Sequence, residues 1–442
     1  MKEPEEFIQK LINKGYSICT DSRLANNNNL FFALKGDNFN GNDFAIDALN
    51  KGCEYAFVDK KINTDKKGII YVKNVLSLLH KVAKNHRQQF SIPLIAITGS
   101  NGKTTTKELI SKVLSEKFNV LYTKGNLNNH IGVPLSLLKL NQSHEIAVIE
   151  IGANQPGEIK MLSEIACPTH AIITNIGKAH LEGFNNLETI KNNKAALYHY
   201  IIKNKGIIFQ NGDNQILKDI SGNYSNIITY GKNTKNDLQG DLQKQTPYLT
   251  ISYSANKAFG KCKGNINSII ETALTGNYNF ENVLAAVSVG LYFGVEPELI
   301  KKAIKSYVPD NSRSQIIKTK DNLILLDAYN ANPTSMMASL ESFLSFGKEP
   351  KSLILGDMLE MGEYAKNEHK IILNWINKHR FHKVILIGSE FLSFKNIFSN
   401  YHYFKDAKSA SQWIENNPIN NNTILIKGSR GIKLESVLNS IS

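Results

Sequence analysis

Short apolar runs alternate with amphipathic segments along most of the 442 residues. Four apolar runs in the middle of the chain are predicted strands: Leu94–Thr98, Ala147–Glu150, Ala171–Asn175 and Gly206–Gln210. The segments Thr104–Lys117 and Asn282–Phe293 repeat their apolar positions with the period of a helix. Strands that alternate with helices predict a largely parallel sheet.

The same patterning predicts an α/β fold of three domains, because the chain is longer than one hydrophobic core usually covers. Residues 1–90 mix short strand-like runs with helical patterns at Phe44–Gly52 and Leu76–Arg87, which is typical of a small α/β domain. Residues 91–308 follow from Pro93, which opens a strand, and Ile227–Thr272 is interpreted as a β-rich insertion. Residues 309–442 repeat the strand-helix series in NLILLDA, SLILGDM, KVILIGS and NTILIKGS, which predicts a Rossmann-like domain.

The composition is that of an ordinary soluble protein, with 42% hydrophobic and 21% charged residues. The apolar runs are too short to cross a bilayer, and MKEPEEFIQK lacks the apolar core of a signal peptide. We therefore expect a cytoplasmic protein without membrane insertion. The four cysteines are far apart and form no CxxC pair, which argues against a zinc site and a disulfide framework. They are interpreted as buried or idle thiols: Cys19, Cys53, Cys167 and Cys262.

A net charge of +13 does not predict nucleic-acid binding here, because the charge is spread along the chain instead of being concentrated in one segment. A general bias toward lysine explains the surplus. Only five of the 52 basic residues are arginine, so an arginine can mark a place where a planar, bidentate group is required. Arg87 and Arg380 are interpreted as chance occurrences.

The stretch ITGSNGKTTTKE, from Ile97 to Glu108, follows a predicted strand and opens a predicted helix. It has the order of a phosphate-binding loop in the short form TGxxGKT. In such a loop, backbone N–H groups hold the phosphates, Lys103 reaches the β- and γ-phosphates, and the Thr104 hydroxyl binds Mg²⁺. The predicted nucleotide contacts are Gly99, Ser100, Asn101, Gly102, Lys103, Thr104 and Thr105.

Two further residues are candidate metal ligands. Glu150 is the first acid after a buried apolar run, where a charge is costly unless it is paired or bound to a metal. His180 lies in the loop that follows the next strand, in AIITNIGKAHLEGF. From the residues alone, two roles of His180 remain possible: a metal ligand, or a structural or solvated histidine.

Several motifs together resemble the Mur ligase family of ATP-dependent amide-forming enzymes. They are TGSNGKTTT, TDSR, LFFALKGDNFNG, GNLNNHIGVPLSLL, IEIGANQPGEI, ITNIGKAHLEGF, DAYNANPTSM, GDMLEMGE and KGSRGIKLE, in the family's order. The resemblance implies that ATP phosphorylates the terminal carboxylate of UDP-N-acetylmuramoyl-tripeptide. The amine of D-alanyl-D-alanine then attacks the acyl phosphate in peptidoglycan precursor synthesis.

The resemblance also implies catalytic roles. Lys103 and Thr104 keep the roles described above, and Glu150 becomes a Mg²⁺ ligand. His180 becomes a ligand of a second Mg²⁺. Lys194 matches a lysine that the family carbamylates, and its amine must first be neutral although the ordinary lysine pKa is about 10.4. Ala195 and Ala196 follow it, where many relatives have an acidic residue.

Binding roles are carried over in the same way. The resemblance implies that Asn279 and Asn282 approach adenine and that Arg313 and Asp327 reach ATP from the third domain. The implied contacts to the peptide substrates are Asn129, Tyr329, Asn330, Lys427, Ser429 and Arg430. The implied contacts to the UDP-sugar are Thr20, Asp21, Ser22, Arg23, Lys35 and Gly36. The three domains are expected to close around the substrates of a monomer.

Two alternatives remain at this point. The first is another amino-acid-adding ligase of the same family, such as the ligase for the third residue or a folate polyglutamate synthetase, although DAYNANP argues against both. The second is a phosphate-loop switch or a nucleotide-binding scaffold without ligase activity. A switch needs a base-reading motif such as NKxD at a strand end, which the sequence lacks.

Overall fold

The computed structural model describes residues 4–36, 38–255, 259, 266–310 and 312–441. The predicted thiol Cys262 lies outside the described residues. Within them the strands form three main sheets, one after another along the chain, and a short hairpin. The predicted α/β fold of three parts is confirmed.

The N-terminal part contains a parallel sheet in the order β1-β2-β5-β6. Its strands are β1 (Ser17–Cys19), β2 (Asn29–Phe32), β3 (Lys35–Gly36), β4 (Phe39–Asn40), β5 (Tyr55–Val58) and β6 (Ile69–Tyr71). Its helices are α1 (Pro4–Asn13), α2 (Ala45–Asn50) and α3 (Val75–Gln88). The strands β3 and β4 form the hairpin. Helix α3 begins where the Asn74 side chain accepts from the Ser77 N–H, and it buries one apolar face.

The middle part contains a nine-stranded sheet among the described residues, in the order β15-β14-β13-β12-β11-β10-β7-β9-β8. Its strands are β7 (Leu94–Thr98), β8 (Val120–Tyr122), β9 (Ile146–Glu150), β10 (His170–Ile173), β11 (Ile207–Asn211), β12 (Ile227–Gly231), β13 (Leu238–Lys244), β14 (Thr250–Ala255) and β15 (Ile266–Glu271). All five residues of β7 are buried, which explains why this strand is apolar on both faces.

Helices surround this sheet. They are α4 (Lys103–Ser115), α5 (Gly132–Leu137), α6 (Glu158–Ala166), α7 (Leu181–Phe184), α8 (Leu187–Lys203), α9 (Gln215–Ser221), α10 (Asn279–Tyr292) and α11 (Pro297–Lys305). The interpretation of Ile227–Thr272 as an insertion was wrong in one respect. Its strands continue the central sheet: β12 and β13 pair in parallel, and β14 and β15 are added in antiparallel order.

The C-terminal part contains a sheet in the order β16-β17-β21-β18-β19-β20, parallel except for β16. Its strands are β16 (Gln315–Lys318), β17 (Leu323–Asp327), β18 (Lys351–Gly356), β19 (Lys383–Ile387), β20 (His402–Phe404) and β21 (Thr423–Lys427). Its helices are α12 (Pro333–Leu344), α13 (Ala365–Asn377), α14 (Ser389–Leu392) and α15 (Ala407–Asn416), with short 3₁₀ turns at Ser22–Leu24, Gly41–Phe44, Gly362–Tyr364, Arg430–Ile432 and Leu434–Ser440.

Arg87 connects α3 to the middle part, and its interpretation as a chance arginine was wrong. The guanidinium is buried and donates to the backbone oxygens of Phe90, Ile92 and Ala166. Each carbonyl accepts from a different nitrogen of the guanidinium, which can bind all three because it carries five N–H donors.

No helix in the described ranges is long and apolar enough to span a bilayer. Two of the cysteines, Cys19 and Cys53, are buried free thiols, as predicted, and Cys167 is free and half-buried. Burial raises the pKa of the Cys53 thiol to about 11.

Candidate functional site

A cavity of about 460 Å³ lies between the middle and C-terminal parts of the chain. The carboxyl ends of β7, β9 and β17 open onto it, which is the edge where open parallel sheets bind ligands. The predicted site residues that line it are Ser100, Asn101, Gly102, Lys103, Thr104, Thr105, Asn129, Glu150, His180, Asn279, Asn282, Arg313, Asp327, Tyr329, Asn330 and Lys427. The sequence therefore identified residues that the fold brings together from positions more than 300 apart.

At two positions of the phosphate loop, the backbone conformation and the space available permit only glycine. Gly99 has φ +148° and Gly102 has φ +78°. A Cβ atom on Gly99 would lie 1.9 Å from the Thr174 hydroxyl, and one on Gly102 would lie 2.6 Å from Asn282 Oδ1. Helix α4 starts directly after Gly102, so its first N–H groups point toward the cavity, where they favour an anion.

Lys103 lies folded over this loop. Its Nζ donates to the backbone oxygens of Gly99, at 2.8 Å, and Ser100, at 3.2 Å. Burial lowers the pKa of the Lys103 amine, and the charge of Glu150 partly opposes this shift. A phosphate at the start of α4 would offer this amine a stronger acceptor than two carbonyls.

The loop after β10 holds the phosphate loop in place, and the sequence interpretation missed this support. The Asn101 N–H donates to Asn175 Oδ1 at 3.0 Å, and the Thr174 hydroxyl donates to the Asn101 oxygen at 2.6 Å. The Ser100 hydroxyl donates to the Gly177 oxygen and accepts from the Gly177 N–H, each at 2.9 Å. The only signal was the polar pair TN at the end of the predicted strand.

Glu150 has the environment of a cation ligand. The carboxylate is 1% exposed, and its Oε1 accepts from the Thr104 hydroxyl at 3.2 Å and from Asn128 Nδ2 at 2.7 Å. Its Oε2 is buried and has no hydrogen-bond partner among the described residues. A buried carboxylate oxygen without a donor, beside a hydroxyl, fits a divalent cation with hard oxygen ligands. Asn128 was missed, although it is next to the predicted Asn129 in GNLNNH.

The two remaining candidate ligands differ in exposure. His180 lines the cavity in a left-handed conformation, with φ +53°, and its Nδ1 is hydrogen-bonded to Glu360 Oε2. Lys194 lies on α8, is 2% exposed and does not line the cavity. Burial and the nearby charge of Lys103 hold the pKa of the Lys194 amine well below its ordinary value. A neutral amine is the form that can react with CO₂.

Asn279 and Asn282 form a chain of hydrogen bonds at the start of α10. Asn282 Nδ2 donates to Asn279 Oδ1 at 2.9 Å, and Asn282 Oδ1 accepts from the Thr106 hydroxyl at 3.0 Å. Asn279 Nδ2 donates to the Thr275 oxygen at 2.7 Å. Both amides are therefore oriented and buried next to the phosphate loop.

The C-terminal part brings positive charge to the opposite wall. The Arg313 guanidinium lies 3.6 Å from the centre of the Tyr329 ring, and that of Arg430 lies 5.1 Å from it. Arg313 Nε is buried without a partner among the described residues. Lys427 Nζ donates to Asp327 Oδ2 at 2.6 Å, which neutralises both charges.

Two contacts fix this wall against the middle part. Asn332 Nδ2 donates to Asn101 Oδ1 at 2.8 Å, and the Thr334 hydroxyl accepts from the Lys178 N–H at 3.1 Å. Asn332 also caps α12 by accepting from the Ser335 N–H. It was missed as a contact residue, although it belongs to the motif DAYNANP.

The other predicted residues do not line this cavity: Gly99, Lys194, Ser429, Arg430, Thr20, Asp21, Ser22, Arg23, Lys35 and Gly36. In the N-terminal part, the exposed Arg23 guanidinium pairs with Asp21, and this pairing lowers the pKa of the Asp21 carboxyl to about 2. Lys35 forms an ion pair of 2.9 Å with Asp59. The Ser429 hydroxyl donates to the Ala331 oxygen at 3.3 Å and accepts from the Leu359 N–H at 2.9 Å, so it connects three loops.

Comparison with known proteins agrees with this geometry. Three family models match: the Mur ligase family, catalytic domain, at residues 14–93, the Mur ligase middle domain at 97–290, and the Mur ligase, glutamate ligase domain at 312–430. The UDP-N-acetylmuramoyl-tripeptide–D-alanyl-D-alanine ligase of Bacillus subtilis (strain 168) is 35% identical over 96% of this chain and 93% of its own length. The ligase of that name from Escherichia coli (strain K12) is 30% identical over 96% and 93%.

Solved structures give the same result. MurF from Acinetobacter baumannii superposes with a TM-score of 0.86 at 28% identity and covers 96% of this chain and 93% of its own. MurF from Thermotoga maritima, in complex with ADP, has a TM-score of 0.84 at 26% identity and covers 97% of each chain. The chain belongs to the Mur ligase family.

Proposed function

We propose that this protein is an ATP-dependent ligase that joins D-alanyl-D-alanine to UDP-N-acetylmuramoyl-tripeptide, with release of ADP and phosphate. The observation that carries this proposal is one cavity in which the phosphate loop faces Arg313, Tyr329 and Lys427 of the C-terminal part. Relatives that are 30–35% identical over almost the whole chain carry the name of this reaction.

The reaction needs two steps that suit this cavity. The γ-phosphoryl group passes from ATP to the terminal carboxylate of the tripeptide, and the dipeptide amine then displaces phosphate from the acyl phosphate. Negative charge accumulates on the transferred group in the first step, so groups that neutralise it lower the barrier. Lys103 and the N–H groups at the start of α4 would do this from one side, and Arg313 from the other.

Divalent cations, when bound, would supply further neutralisation of the phosphates. Glu150 and Thr104 are the residues that would hold Mg²⁺, because Glu150 Oε2 is buried without a donor among the described residues. We assign His180 and a carbamylated Lys194 to a second Mg²⁺. Support comes from the lowered pKa of Lys194, since the neutral amine is the reactive form. A ¹³C NMR spectrum of the protein in ¹³C-bicarbonate tests the carbamate, which should be absent from Lys194→Met.

The three parts have separate tasks in this proposal. Residues 1–90 hold the UDP-sugar through Thr20–Arg23 and Lys35–Gly36, residues 91–308 hold ATP, and residues 309–442 hold the dipeptide. Asn279 and Asn282 contact adenine, and Asn129, Asn330, Ser429 and Arg430 orient the peptide substrates. The protein acts in the cytoplasm as a monomer. Exclusion of water from the closed cavity would protect the acyl phosphate from hydrolysis.

The test is phosphate release by the purified protein with ATP, Mg²⁺ and UDP-N-acetylmuramoyl-tripeptide, with and without D-alanyl-D-alanine. We expect stoichiometric phosphate and a UDP-linked pentapeptide only when the dipeptide is present. Parallel assays with UDP-N-acetylmuramoyl-dipeptide plus meso-diaminopimelate, and with folate plus glutamate, test the other ligases of the family. Lys103→Ala should abolish product formation. ATP turnover that ignores the peptide and the amine would overturn the proposal in favour of a nucleotide-binding scaffold.

A further inference from the structure

We propose that Glu360 is a positioning residue for His180: by accepting the hydrogen on Nδ1, it leaves Nε2 as the nitrogen that faces a divalent cation. The inference rests on the metal role proposed above for His180. Glu360 belongs to the C-terminal part and does not line the cavity. The roles proposed above for the phosphate loop and for the dipeptide contacts do not involve it.

The two side chains meet across the boundary between the middle and C-terminal parts. His180 Nδ1 and Glu360 Oε2 are hydrogen-bonded, and the histidine side chain is 21% exposed. The imidazole lines the cavity, and its Nε2 has no hydrogen-bond partner in the described part of the chain. The ring therefore has one nitrogen committed to a carboxylate and one nitrogen available for a ligand.

The turns that carry the two residues are docked on each other. The Glu182 N–H donates to the Glu360 oxygen at 3.1 Å, and the Gly362 backbone packs against Glu182. His180 has φ +53° and Glu360 has φ +61°, in the left-handed region that residues other than glycine rarely adopt. Such backbone strain persists only where the surrounding structure enforces it, and it is concentrated at functional sites.

Apolar contacts stabilise the same arrangement. Leu181 and Phe184, on the histidine side, belong to one buried cluster with Met358 and Met361, on the glutamate side. The two segments that carry His180 and Glu360 are therefore anchored in the same hydrophobic core.

The chemical reason for such a partner is tautomer selection. A neutral imidazole carries one hydrogen, and a metal can bind only the nitrogen without it. A carboxylate that accepts from Nδ1 fixes the hydrogen there, orients the ring and increases the electron density at Nε2. Without an acceptor at Nδ1, the ring divides its population between the two tautomers and between several orientations.

The location of Glu360 adds a consequence. His180 follows a strand of the middle sheet, whereas Glu360 follows a strand of the C-terminal sheet. His180 has this acceptor only while the two parts are docked. Docking of the C-terminal part would therefore prepare the second metal position at the same time as it brings Arg313 to the phosphates.

The competing explanation is that the pair is only a docking contact. The chain contains a second contact for comparison, because Lys178 Nζ, two residues before His180, donates to the buried Glu368 Oε1 at 2.5 Å across the same boundary. Glu368→Gln weakens docking without touching the partner of His180. Substitution of Glu360 should not unfold the protein, since its side chain is 54% exposed.

The first measurement is the tautomer of His180 in metal-free protein, from two-bond ¹⁵N–¹H correlation spectra of protein labelled at histidine, with His180→Gln to assign the signal. We expect Nδ1–H in the parent, in Glu360→Gln, whose amide oxygen still accepts, and in Glu368→Gln. Glu360→Ala should show the mixture of a solvated histidine. Retention of Nδ1–H in Glu360→Ala would overturn the proposal, and this readout does not depend on ligase activity.

The second measurement is the Mg²⁺ dependence of phosphate release. Glu360→Ala should raise the half-saturating Mg²⁺ concentration by about 10–100-fold, the usual effect of losing a partner of a metal ligand, and leave the KM for ATP nearly unchanged. Glu360→Gln should recover most of this loss. Equal losses in Glu360→Ala and Glu368→Gln would show a docking contact only and would refute the positioning role.

Discussion

Thr104 and Glu150 share a hydrogen bond of 3.2 Å between side chains that lie 46 positions apart in the chain. The same carboxylate oxygen accepts from Asn128, and the other has no partner among the described residues. A hydroxyl, an amide and a buried carboxylate therefore surround one point at the end of β9. The fold buries a carboxylate oxygen there without a hydrogen-bond donor among the described residues, which is costly unless a cation binds.

Glu150→Gln should separate charge from structure at this point. The amide oxygen can still accept from Thr104 and Asn128, so we expect the fold to persist with Tm within a few degrees of the parent. Phosphate release should fall about 100-fold or more at saturating Mg²⁺, because metal coordination contributes several kcal/mol to such transfers. The matched control is Glu164→Gln, which makes the same change at an exposed position of α6. A parental Mg²⁺ dependence in Glu150→Gln would contradict the assignment.

The sequence predicted the elements of the site better than their connections. The strand Leu94–Thr98 has the predicted bounds, and the strand ending at Glu150 begins one residue earlier than predicted. A continuous apolar run and a following acid are local features, so periodicity identifies them. The support of Asn101 by Asn175 and the pairing of His180 with Glu360 join distant segments, and a single sequence contains no signal for them.

The order of strands within a sheet also could not be predicted from local sequence patterns. The described part of Ile227–Thr272 contains the predicted strands, but the sequence pattern gave no information on their neighbours, and these strands extend the central sheet. Arg87 illustrates the same limit for side chains. Its burial depends on carbonyls near residues 90 and 166, and its own neighbours in sequence gave no reason to expect it.

The contact of Arg313 and Arg430 with the Tyr329 ring leads to a second prediction. The guanidinium groups of Arg313 and Arg430 both lie over the ring of Tyr329, and this cation–π interaction requires an aromatic side chain. Tyr329→Leu should raise the KM for ATP by roughly 10-fold, because loss of an interaction worth about 1–2 kcal/mol leaves Arg313 without orientation. Tyr329→Phe keeps the ring and should behave like the parent. If both variants lose activity to the same extent, the hydroxyl and not the stack is important.

Acid sensitivity should depend on His170. Its ring is packed against Phe209, Tyr292 and Phe293, and burial lowers its pKa to about 4. Between pH 4 and the ordinary value near 6.5, the unfolded chain binds a proton that the folded chain does not. Stability therefore decreases as the pH falls through this window, by about 2 kcal/mol between pH 7 and pH 5 from this residue alone.

His170→Phe should remove this contribution. Urea unfolding at several pH values should give a variant whose stability relative to the parent increases as the pH is lowered from 7 to 5. The control is His199→Phe, at an exposed position of α8, which should follow the parent. A constant difference between His170→Phe and the parent at every pH would exclude the histidine as the source of acid sensitivity.

Arg87 gives the last prediction, which concerns stability alone. Its guanidinium is 4% exposed and donates to the backbone oxygens of Phe90, at the end of the N-terminal part, and of Ile92 and Ala166 in the middle part. Arg87→Met keeps a long side chain but leaves these buried carbonyls without donors, at a cost of about 3 kcal/mol. Arg380→Met, at an exposed position, should change stability by no more than about 0.5 kcal/mol. Because Arg87 lies outside the cavity, the KM for ATP should be the same in both variants at temperatures where they are folded. An Arg87→Met protein as stable as Arg380→Met in urea unfolding would show that the middle part does not need this link.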